Sequence, residues 1–272
     1  MLRQLGGHAL YFDHAAQRIG ERETVHDYAK NLERMATAII ARVHDHDVLT
    51  QLAEHASIPV INALSDREHP CQAMADFLTL REHLGTLTGI KLAWVGDGNN
   101  VCHSLMLLAA KLGVDMTVIT PKGFEPQFSI VKQALASAEK TGSTITLSHH
   151  ISAIEGHHAV YTDTWLSMGQ AHQAEFRTGA FAGLQITPKV MAIASAGLDQ
   201  PALFMHCLPA HREEEVAAAV IDGPHSIVFD QAENRMWAQN ALLAKLLEHS
   251  TGAASPSGPS TTDTTHWQAD PS

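Results

Sequence analysis

The chain has 272 residues, enough for one large or two modest domains, and its 45% hydrophobic content is typical of a globular protein. A net charge of −11, from 18 basic and 29 acidic residues, argues against non-specific nucleic-acid binding, which requires a basic face. No apolar run reaches the roughly 20 residues of a membrane span, and three cysteines without a CxxC pair predict a cytoplasmic protein without disulfides.

Short apolar runs alternate with helical patterns along the chain. In the first part we predict strands at 8–12, 38–43 and 59–63, and helices at 24–37, 46–56 and 70–84. In the second part we predict strands at 91–96, 116–120, 145–149, 159–163, 203–208 and 226–230. Such alternation is typical of parallel sheets with crossover helices, and it predicts an α/β fold.

A run of small and polar residues at 85–89 predicts a boundary between two domains. We therefore expect a first domain at 1–87 and a second at 88–235. A final helix is predicted at 236–249, and we expect it to cross back to the first domain. The tail at 250–272 is rich in Ser, Thr, Pro and Gly, a composition that predicts disorder.

Polar side chains collect where the predicted strands end. In open parallel sheets, ligands bind beyond the carboxyl ends of the strands. Six segments carry such groups: Arg42; His69, Pro70, Cys71 and Gln72; Asn99 and Asn100; Asp163, Ser167 and Met168; Cys207, Leu208 and Pro209; and Arg235. This distribution predicts that the segments meet in a single cleft between the two domains.

Five motifs resemble those of the ornithine carbamoyltransferases in order and spacing: HPCQ (69–72), DGNN (97–100), DTWLSMGQ (163–170), HCLPAHR (206–212) and FDQAENR (229–235). HPCQ is shared with the aspartate transcarbamoylases, whereas SMG and HCLP are typical of the ornithine branch. The resemblance covers roughly residues 5–249. It implies two doubly wound parallel-sheet domains, an active site in the cleft between them, and a homo-oligomer, a trimer with sites shared between subunits.

By this resemblance, the chain transfers the carbamoyl group of carbamoyl phosphate to the side-chain amine of L-ornithine, giving L-citrulline and phosphate in arginine metabolism. Neither a metal nor another cofactor is implied. The residues implied in carbamoyl phosphate binding are Arg42, His69, Pro70, Cys71, Gln72, Cys207, Leu208, Arg235 and Arg18, the last toward a neighbouring subunit. Those implied in ornithine binding are Asn100, Asp163, Ser167 and Met168.

Four of these residues are implied in catalysis. His69 and Arg42 would donate to the carbonyl oxygen of carbamoyl phosphate, which gains negative charge as the amine attacks. Cys207 and Asp163 would orient the attacking amine and help to remove its proton. Most of the rate would come from holding the two substrates together, because no strong base is present among these groups.

The sequence departs from the family at its beginning, because the family's phosphate-gripping Ser-x-Arg-Thr loop does not occur in it. We therefore expect the first domain to be incomplete at its N-terminus. A miscalled start codon is one explanation, and a degenerate paralogue that binds without catalysing is another; the retained site residues favour the first. Two alternatives for function stay open. One is a non-catalytic fragment that joins complete subunits. The other is a transcarbamoylase for putrescine or an acylated ornithine, and the SMG motif argues against this second alternative.

Three other patterns have simpler interpretations. The segment around DGNN resembles a dinucleotide-binding turn, but Val101 stands where the third Gly of G-x-G-x-x-G belongs. The run of His and Asp at 44–47 could suggest a metal, but adjacent side chains point in different directions, which favours a solvated loop or helix start. We also expect Glu213, Glu214 and Glu215 to form a solvated helix start.

Overall fold

The computed structural model describes residues 6–14, 18–166 and 174–252, and helices and strands alternate along them. The helices are α1 (Val25–Leu32), α2 (His46–His55), α3 (Pro70–Leu84), α4 (Asn100–Leu112), α5 (Phe128–Thr141), α6 (Ala174–Phe181), α7 (Pro188–Ala194), α8 (Ala218–Ile221) and α9 (Val228–Gly252). The strands are β1 (Ile39–Arg42), β2 (Val60–Leu64), β3 (Lys91–Val95), β4 (Asp115–Ile119), β5 (Ile145–Ser148), β6 (Ala159–Thr162) and β7 (Leu203–His206).

The strands of the described chain form two parallel sheets. β1 pairs with β2, with Ile39 opposite Val60. The other sheet has the order β5-β4-β3-β6-β7, with Leu92 of β3 between Met116 of β4 and Ala159 of β6. The chain order reverses between β3 and β6, and the loops after these strands therefore flank a crevice. These observations confirm the predicted α/β fold with two parallel-sheet domains.

The core lies on both faces of the five-stranded sheet. In β3, Leu92 and Trp94 face the cluster formed with α4 and α5, whereas Ala93 and Val95 face the cluster formed with α6, α7 and α8. All four side chains have no exposed surface. A strand that is buried on both faces reads as a continuous apolar run, which explains why β3 is readily recognised in the sequence.

Helix α9 packs along α3. Leu243 of α9 enters a small core with Ile61 of β2 and Cys71 of α3. Asn234 of α9 donates from Nδ2 to Oγ1 of Thr79 at 3.0 Å, inside the same helix pair. The C-terminal helix is thereby held against the elements that surround β1 and β2. Among the helices that the structure describes, none is both long and apolar enough to pass through a membrane.

Two predicted strands are wrong. Residues 8–12 form no strand, and Leu10 and Tyr11 are 69% and 87% exposed. An extended segment needs a neighbouring strand for its backbone groups, and this segment pairs with none in the described chain. Residues 226–230 also form no strand beyond one bridge between Ser226 and Phe204. Val228 instead starts α9, with Ile227 directly before it, and both side chains are buried.

Helix bounds differ from the predictions by more than one residue at three points. α1 ends at Leu32, five residues before the predicted end at residue 37. α9 begins at Val228, eight residues before the predicted start at residue 236. It runs to Gly252, three residues into the segment for which the composition predicts disorder, and residues 253–272 lie outside the described chain.

Candidate active site

One group of site residues lies where α3 begins. The backbone N–H of His69, the residue before Pro70, donates to Oγ of Ser104 in α4 at 2.8 Å. Burial, and then the charges of Arg235 and Arg42, lower the pKa of His69 to about 3, so its imidazole is neutral at neutral pH. Nδ1 of His69 is buried without a hydrogen-bond partner in the described part of the chain, which leaves this nitrogen for a ligand.

Gln72 connects α3 to α9 beside this histidine. Its Oε1 accepts from Nη1 of Arg235 at 2.6 Å, and its Nε2 donates to Oδ1 of Asp76 at 2.7 Å. Gln231 of α9 also donates to this oxygen, at 2.7 Å. Burial raises the pKa of Asp76 to about 7, although the hydrogen bonds from both glutamines oppose the shift. The network holds the guanidinium of Arg235 near the N-terminus of α3, where free backbone N–H groups favour an anion.

The remaining residues predicted to bind carbamoyl phosphate have different surroundings. Arg42 is the last residue of β1, is exposed, and is close enough to His69 to influence its pKa. The Cys71 thiol is buried and donates to the carbonyl oxygen of Asn62 at 3.3 Å, so this side chain points toward β2. Arg18 is exposed, and its backbone N–H donates to Glu21 at 3.1 Å, within its own turn.

A second group lies at the ends of β6 and β7. Asp163 follows β6, and its Oδ1 accepts from the Cys207 thiol at 3.0 Å. Its Oδ2 accepts from Nδ2 of Asn99 at 2.8 Å. Burial, and then the negative charge of Asp163, raise the pKa of the Cys207 thiol well above its ordinary value. Cys207 is therefore a neutral donor to Asp163.

The two asparagines of DGNN have different partners. Asn99 caps α4, and its Oδ1 accepts from the backbone N–H groups of Val101 and Cys102, which fixes its amide toward Asp163. Asn100 donates to the carbonyl oxygen of Ser65 at 2.7 Å, so it connects α4 to the loop after β2. Asn99 was predicted only as one of the polar groups at the strand ends, without a binding role, although an Asn before a predicted helix is a recognisable cap signal.

The turn after β7 carries Cys207 and Leu208. Leu208 has a φ of 55°, in the left-handed region, and its N–H donates to Nδ1 of His206 at 2.8 Å. The N–H of His206 donates to Oε1 of Gln231 at 3.1 Å. Because Gln231 also donates to Asp76, this turn and the N-terminus of α3 belong to one buried network. Of the residues predicted to bind ornithine, Ser167 and Met168 lie outside the described chain.

Arg177 of α6 is a site-supporting residue that sequence reasoning missed. It is 4% exposed, donates from Nε to the carbonyl oxygen of Trp165 at 2.7 Å, and forms an ion pair with Asp97. Its guanidinium also stacks over the ring of Phe124 at 4.9 Å. These contacts join the loops after β3 and β6. No sequence signal identifies this residue, because it lies outside every motif.

Glu215 contradicts the prediction of a solvated helix start. The side chain has no exposed surface, because the chain turns back at 212–216 and places it beneath the segment that follows β7. Its Oε1 accepts from the backbone N–H of His211 at 2.6 Å and lies 3.3 Å from Nε2 of His206.

One part of this site has the composition of a metal centre. The ligand atoms of Asp163, His206 and Cys207 lie within 4.8 Å of one another. Nδ1 of His206 accepts from the N–H of Leu208, and its Nε2 faces Oε1 of Glu215 at 3.3 Å without a hydrogen bond of good geometry, while the thiol of Cys207 donates to Asp163. Nδ1 of His206 and the Cys207 thiol therefore already have protein partners in this arrangement. The site as a whole has Arg235 and Arg42 near His69, where an anion can bind, and Asp163 at the end of β6 as an acceptor for an amine.

Two family models match this chain over nearly its whole described length. Residues 2–82 match the aspartate/ornithine carbamoyltransferase carbamoyl-P binding domain, and residues 88–246 match the aspartate/ornithine carbamoyltransferase Asp/Orn binding domain. The chain is 51% identical over 245 residues to the ornithine carbamoyltransferase of Shewanella oneidensis, covering 90% of this chain and 80% of that protein. It is 47% identical to the ornithine carbamoyltransferase of Pyrococcus horikoshii, and the match covers 90% of this chain and 77% of that protein.

Solved structures give the same result. The ornithine carbamoyltransferase of Pyrococcus furiosus superposes with a TM-score of 0.84 at 47% identity, covering 89% of this chain and 76% of that one. The anabolic ornithine carbamoyltransferase of Campylobacter jejuni has a TM-score of 0.84 at 32% identity, with 91% and 81% covered. An N-acetyl-L-ornithine transcarbamylase is less similar, with a TM-score of 0.76 at 27% identity and 90% and 82% covered. The chain belongs to the aspartate/ornithine carbamoyltransferase family.

Proposed function

We propose that this carbamoyltransferase transfers the carbamoyl group of carbamoyl phosphate to the side-chain amine of L-ornithine, releasing L-citrulline and phosphate. The observation that carries the proposal is the contact of Cys207 with Asp163 at 3.0 Å, which presents an acidic acceptor for an ammonium group. The relatives that are 47–51% identical bear the name ornithine carbamoyltransferase, and the SMG motif at 167–169 supports the same substrate.

Carbamoyl phosphate would bind at the N-terminus of α3. Arg235, held by Gln72, supplies a fixed positive charge for the phosphate, and Arg42 supplies a second one from the end of β1. The neutral imidazole of His69 donates an N–H to the carbonyl oxygen. Donors that are fixed before the reaction stabilise the negative charge that develops there when the amine attacks. The backbone of the turn at Cys207 and Leu208 closes the pocket on the other side.

Ornithine would bind between the loops after β3, β6 and β7. Asp163, oriented by Asn99 and Cys207, pairs with the amino-acid end or the incoming amine. The raised pKa of Cys207 favours a role in orientation over one in proton removal, because a buried neutral thiol is a poor base. The leaving phosphate is the better acceptor for the proton of the attacking amine. Asn100, Ser167 and Met168 remain assigned to this substrate by resemblance.

The assembly is also part of the proposal. We infer a cytoplasmic homo-oligomer, a trimer, in which Arg18 reaches the phosphate bound by a neighbouring subunit. The exposed position of Arg18, outside the network around His69, is compatible with a contact made across a subunit boundary. Sedimentation with and without a bisubstrate phosphonate would measure both the oligomer and its response to ligand.

A citrulline assay with a panel of amines tests the activity. We expect turnover with L-ornithine, and at least about tenfold lower kcat/KM with putrescine, N-acetylornithine and L-aspartate, because a site built for one polar group rejects analogues that lack it. If another amine gives a higher kcat/KM than ornithine, that amine replaces ornithine as the proposed substrate. Binding of a carbamoyl phosphate analogue without any turnover would support the non-catalytic alternative.

Two substitutions test the division of roles. Cys207→Ala and Asp163→Ala should lower kcat/KM for ornithine by about 100-fold or more and weaken binding of a phosphonate analogue of carbamoyl phosphate by less than about threefold. Steady-state kinetics and calorimetry give the two quantities. Cys102→Ala, which removes a buried thiol from the core, controls for lost packing. Equal losses for both ligands would contradict the assignment of these residues to the amine.

A further inference from the structure

We propose that Glu215 is a positioning residue for this reaction, which clasps both ends of the segment 206–211 and selects the tautomer of His206. Through this contact it determines where Cys207 and Leu208 stand. The kinetic part of the test rests on the proposed function, whereas the chemical part does not.

One carboxylate group closes the segment at both of its ends. Oε1 of Glu215 accepts from the backbone N–H of His211 at 2.6 Å, and the same oxygen lies 3.3 Å from Nε2 of His206. Cys207 and Leu208 lie between these two anchors. Since both contacts depend on one oxygen atom, the loss of this carboxylate removes both of them together.

The hydrogen bonds of His206 leave one arrangement for its ring proton. Nδ1 accepts from the N–H of Leu208 at 2.8 Å and therefore carries no proton. The proton is on Nε2, which faces Glu215. A carboxylate at this nitrogen favours that tautomer, and the tautomer in turn provides the acceptor for Leu208. Leu208 has a φ of 55°, a conformation that a residue with a Cβ keeps only when its surroundings hold it.

Burying an ionised carboxylate at this position costs folding free energy. Glu215 has no exposed surface and His206 is 1% exposed. Burial opposes ionisation of Glu215, but the nearby imidazole of His206 and the hydrogen bond from the N–H of His211 outweigh it, and its pKa is lowered. An apolar side chain would be a simpler solution for packing alone. The contacts to His206 and His211 explain why an ionised group is present.

The position of the thiol follows from these contacts. Cys207 lies directly between His206 and Leu208, and its Sγ must reach Oδ1 of Asp163 at 3.0 Å. If His206 turns, Leu208 loses its acceptor and the thiol moves away from Asp163. The first effect expected is therefore on the amine side of the site and on the barrier to reaction.

Kinetics of paired variants test the proposal. Glu215→Gln keeps an oxygen that can accept from the N–H of His211 and face Nε2 of His206, and it should retain kcat within about threefold. Glu215→Ala should lower kcat about 10–100-fold, the usual range for a group that orients another. His206→Asn keeps an acceptor near Leu208 but cannot reach Glu215, and it should lose as much as Glu215→Ala. The double variant should be no worse than either single variant, because both break one connection. Additive losses would overturn the proposal.

Alkylation of Cys207 gives a readout that does not require activity. Iodoacetamide labelling, followed by peptide mass spectrometry, should be about tenfold faster at Cys207 in Glu215→Ala and His206→Asn and unchanged in Glu215→Gln, because a released thiol is more accessible and more acidic. The buried Cys102 peptide reports general unfolding in the same sample. If Glu215→Ala is also labelled at Cys102, that variant is unfolded, and the labelling rate of Cys207 in His206→Asn then tests the positioning role.

The outcomes separate the two proposals. Unchanged Cys207 labelling in folded Glu215→Ala and His206→Asn overturns the positioning role, whatever the kinetics. Faster labelling in these variants supports it even if the unmodified chain forms no citrulline, and in that case only the proposed function fails.

Discussion

Burial, more than residue type, sets the protonation states of the side chains in this site. In water, a histidine and a cysteine titrate within about two pH units of neutrality. Here burial and two arginines lower the pKa of His69 to about 3, whereas burial and Asp163 raise that of Cys207. Both side chains are therefore neutral donors at neutral pH. A site of this kind acts by arranging hydrogen bonds rather than by exchanging protons.

His69 provides a test at this scale. His69→Gln keeps a polar side chain but misplaces the donor, and we expect kcat to fall about 100-fold, as for the loss of one oxyanion donor. Because the imidazole is neutral above about pH 4, the pH profile of the remaining activity between about pH 6 and 9 should keep its shape. Rates measured over this range give the result. If the unmodified chain shows a change in rate near pH 6.5 that His69→Gln abolishes, the lowered pKa of His69 is contradicted.

At the scale of elements, the loops that carry the site are shaped by segments distant in sequence. The sequence predicts a helix at 70–84, and the structure buries α3 on more than one face, because α4, α9 and β2 all pack against it. The turn between β3 and α4 is similarly enclosed. The N–H of Gly98 donates to the carbonyl oxygen of Phe124 at 2.8 Å, so this turn and the segment before α5 position each other.

Gly98→Ala tests this close approach. A Cβ at residue 98 would lie 2.2 Å from the backbone nitrogen of Pro126 and 2.5 Å from the carbonyl carbon of Glu125, so one backbone must move. We expect a loss of about 1–3 kcal/mol in unfolding free energy and a larger effect on ornithine kinetics, because the neighbouring Asn99 orients Asp163. Urea unfolding and the citrulline assay measure both. Gly183→Ala, with no atom within 4 Å of its Cβ, is the control and should be near neutral.

On the scale of the whole molecule, a buried polar network joins α3 and α9 to the end of β7. Asp76 of α3 accepts from Gln72 and from Gln231 of α9. Gln72 extends the network to Arg235, and Gln231 extends it to the backbone of His206 at the end of β7. The carboxylate orients both amides, because each must direct its NH2 group toward it. The geometry of the cleft therefore depends on one buried acid.

The pH dependence of stability tests this role. The folded-state pKa of Asp76 is about 7, above its ordinary value of 3.8, so the folded chain binds more protons than the unfolded chain between these values. The contribution of Asp76 to stability is therefore greatest at low pH, falls as the pH rises through this window, and levels off above it. Relative to Asp76→Asn, the unmodified chain should lose about 2–3 kcal/mol of unfolding free energy between about pH 5 and 8.

Chemical unfolding at the two pH values measures this difference. Asp222→Asn is a suitable control, because the hydrogen bond from Arg212 lowers the pKa of this exposed carboxyl, and its contribution changes only below its ordinary range. The unfolding free energy of Asp222→Asn should change between the two pH values by the same amount as that of the unmodified chain. A constant difference between the unmodified chain and Asp76→Asn would show that Asp76 does not titrate in this window.

The sequence by itself determined the fold class and most of the elements. Helix α3 has the predicted bounds because its signals are local: Pro70 at its start and Gly85, with a φ of 75°, just after its end. The inner strands β3 and β6 were recognisable because burial on both faces makes each one a short apolar run. The motifs after these strands indicated the family, and the order of parallel strands predicted a common cleft.

Only the tertiary structure decided which polar groups meet. An apolar run such as 226–230 suits a strand or the start of a buried helix, and packing against β7 made it the beginning of α9. The choice between Asn99 and Asn100 as the partner of Asp163, and the burial of Glu215 and Arg177, depend on contacts between segments far apart in the chain. Local propensity and periodicity carry no information about such contacts, because desolvation and hydrogen bonding arise only when the elements pack together.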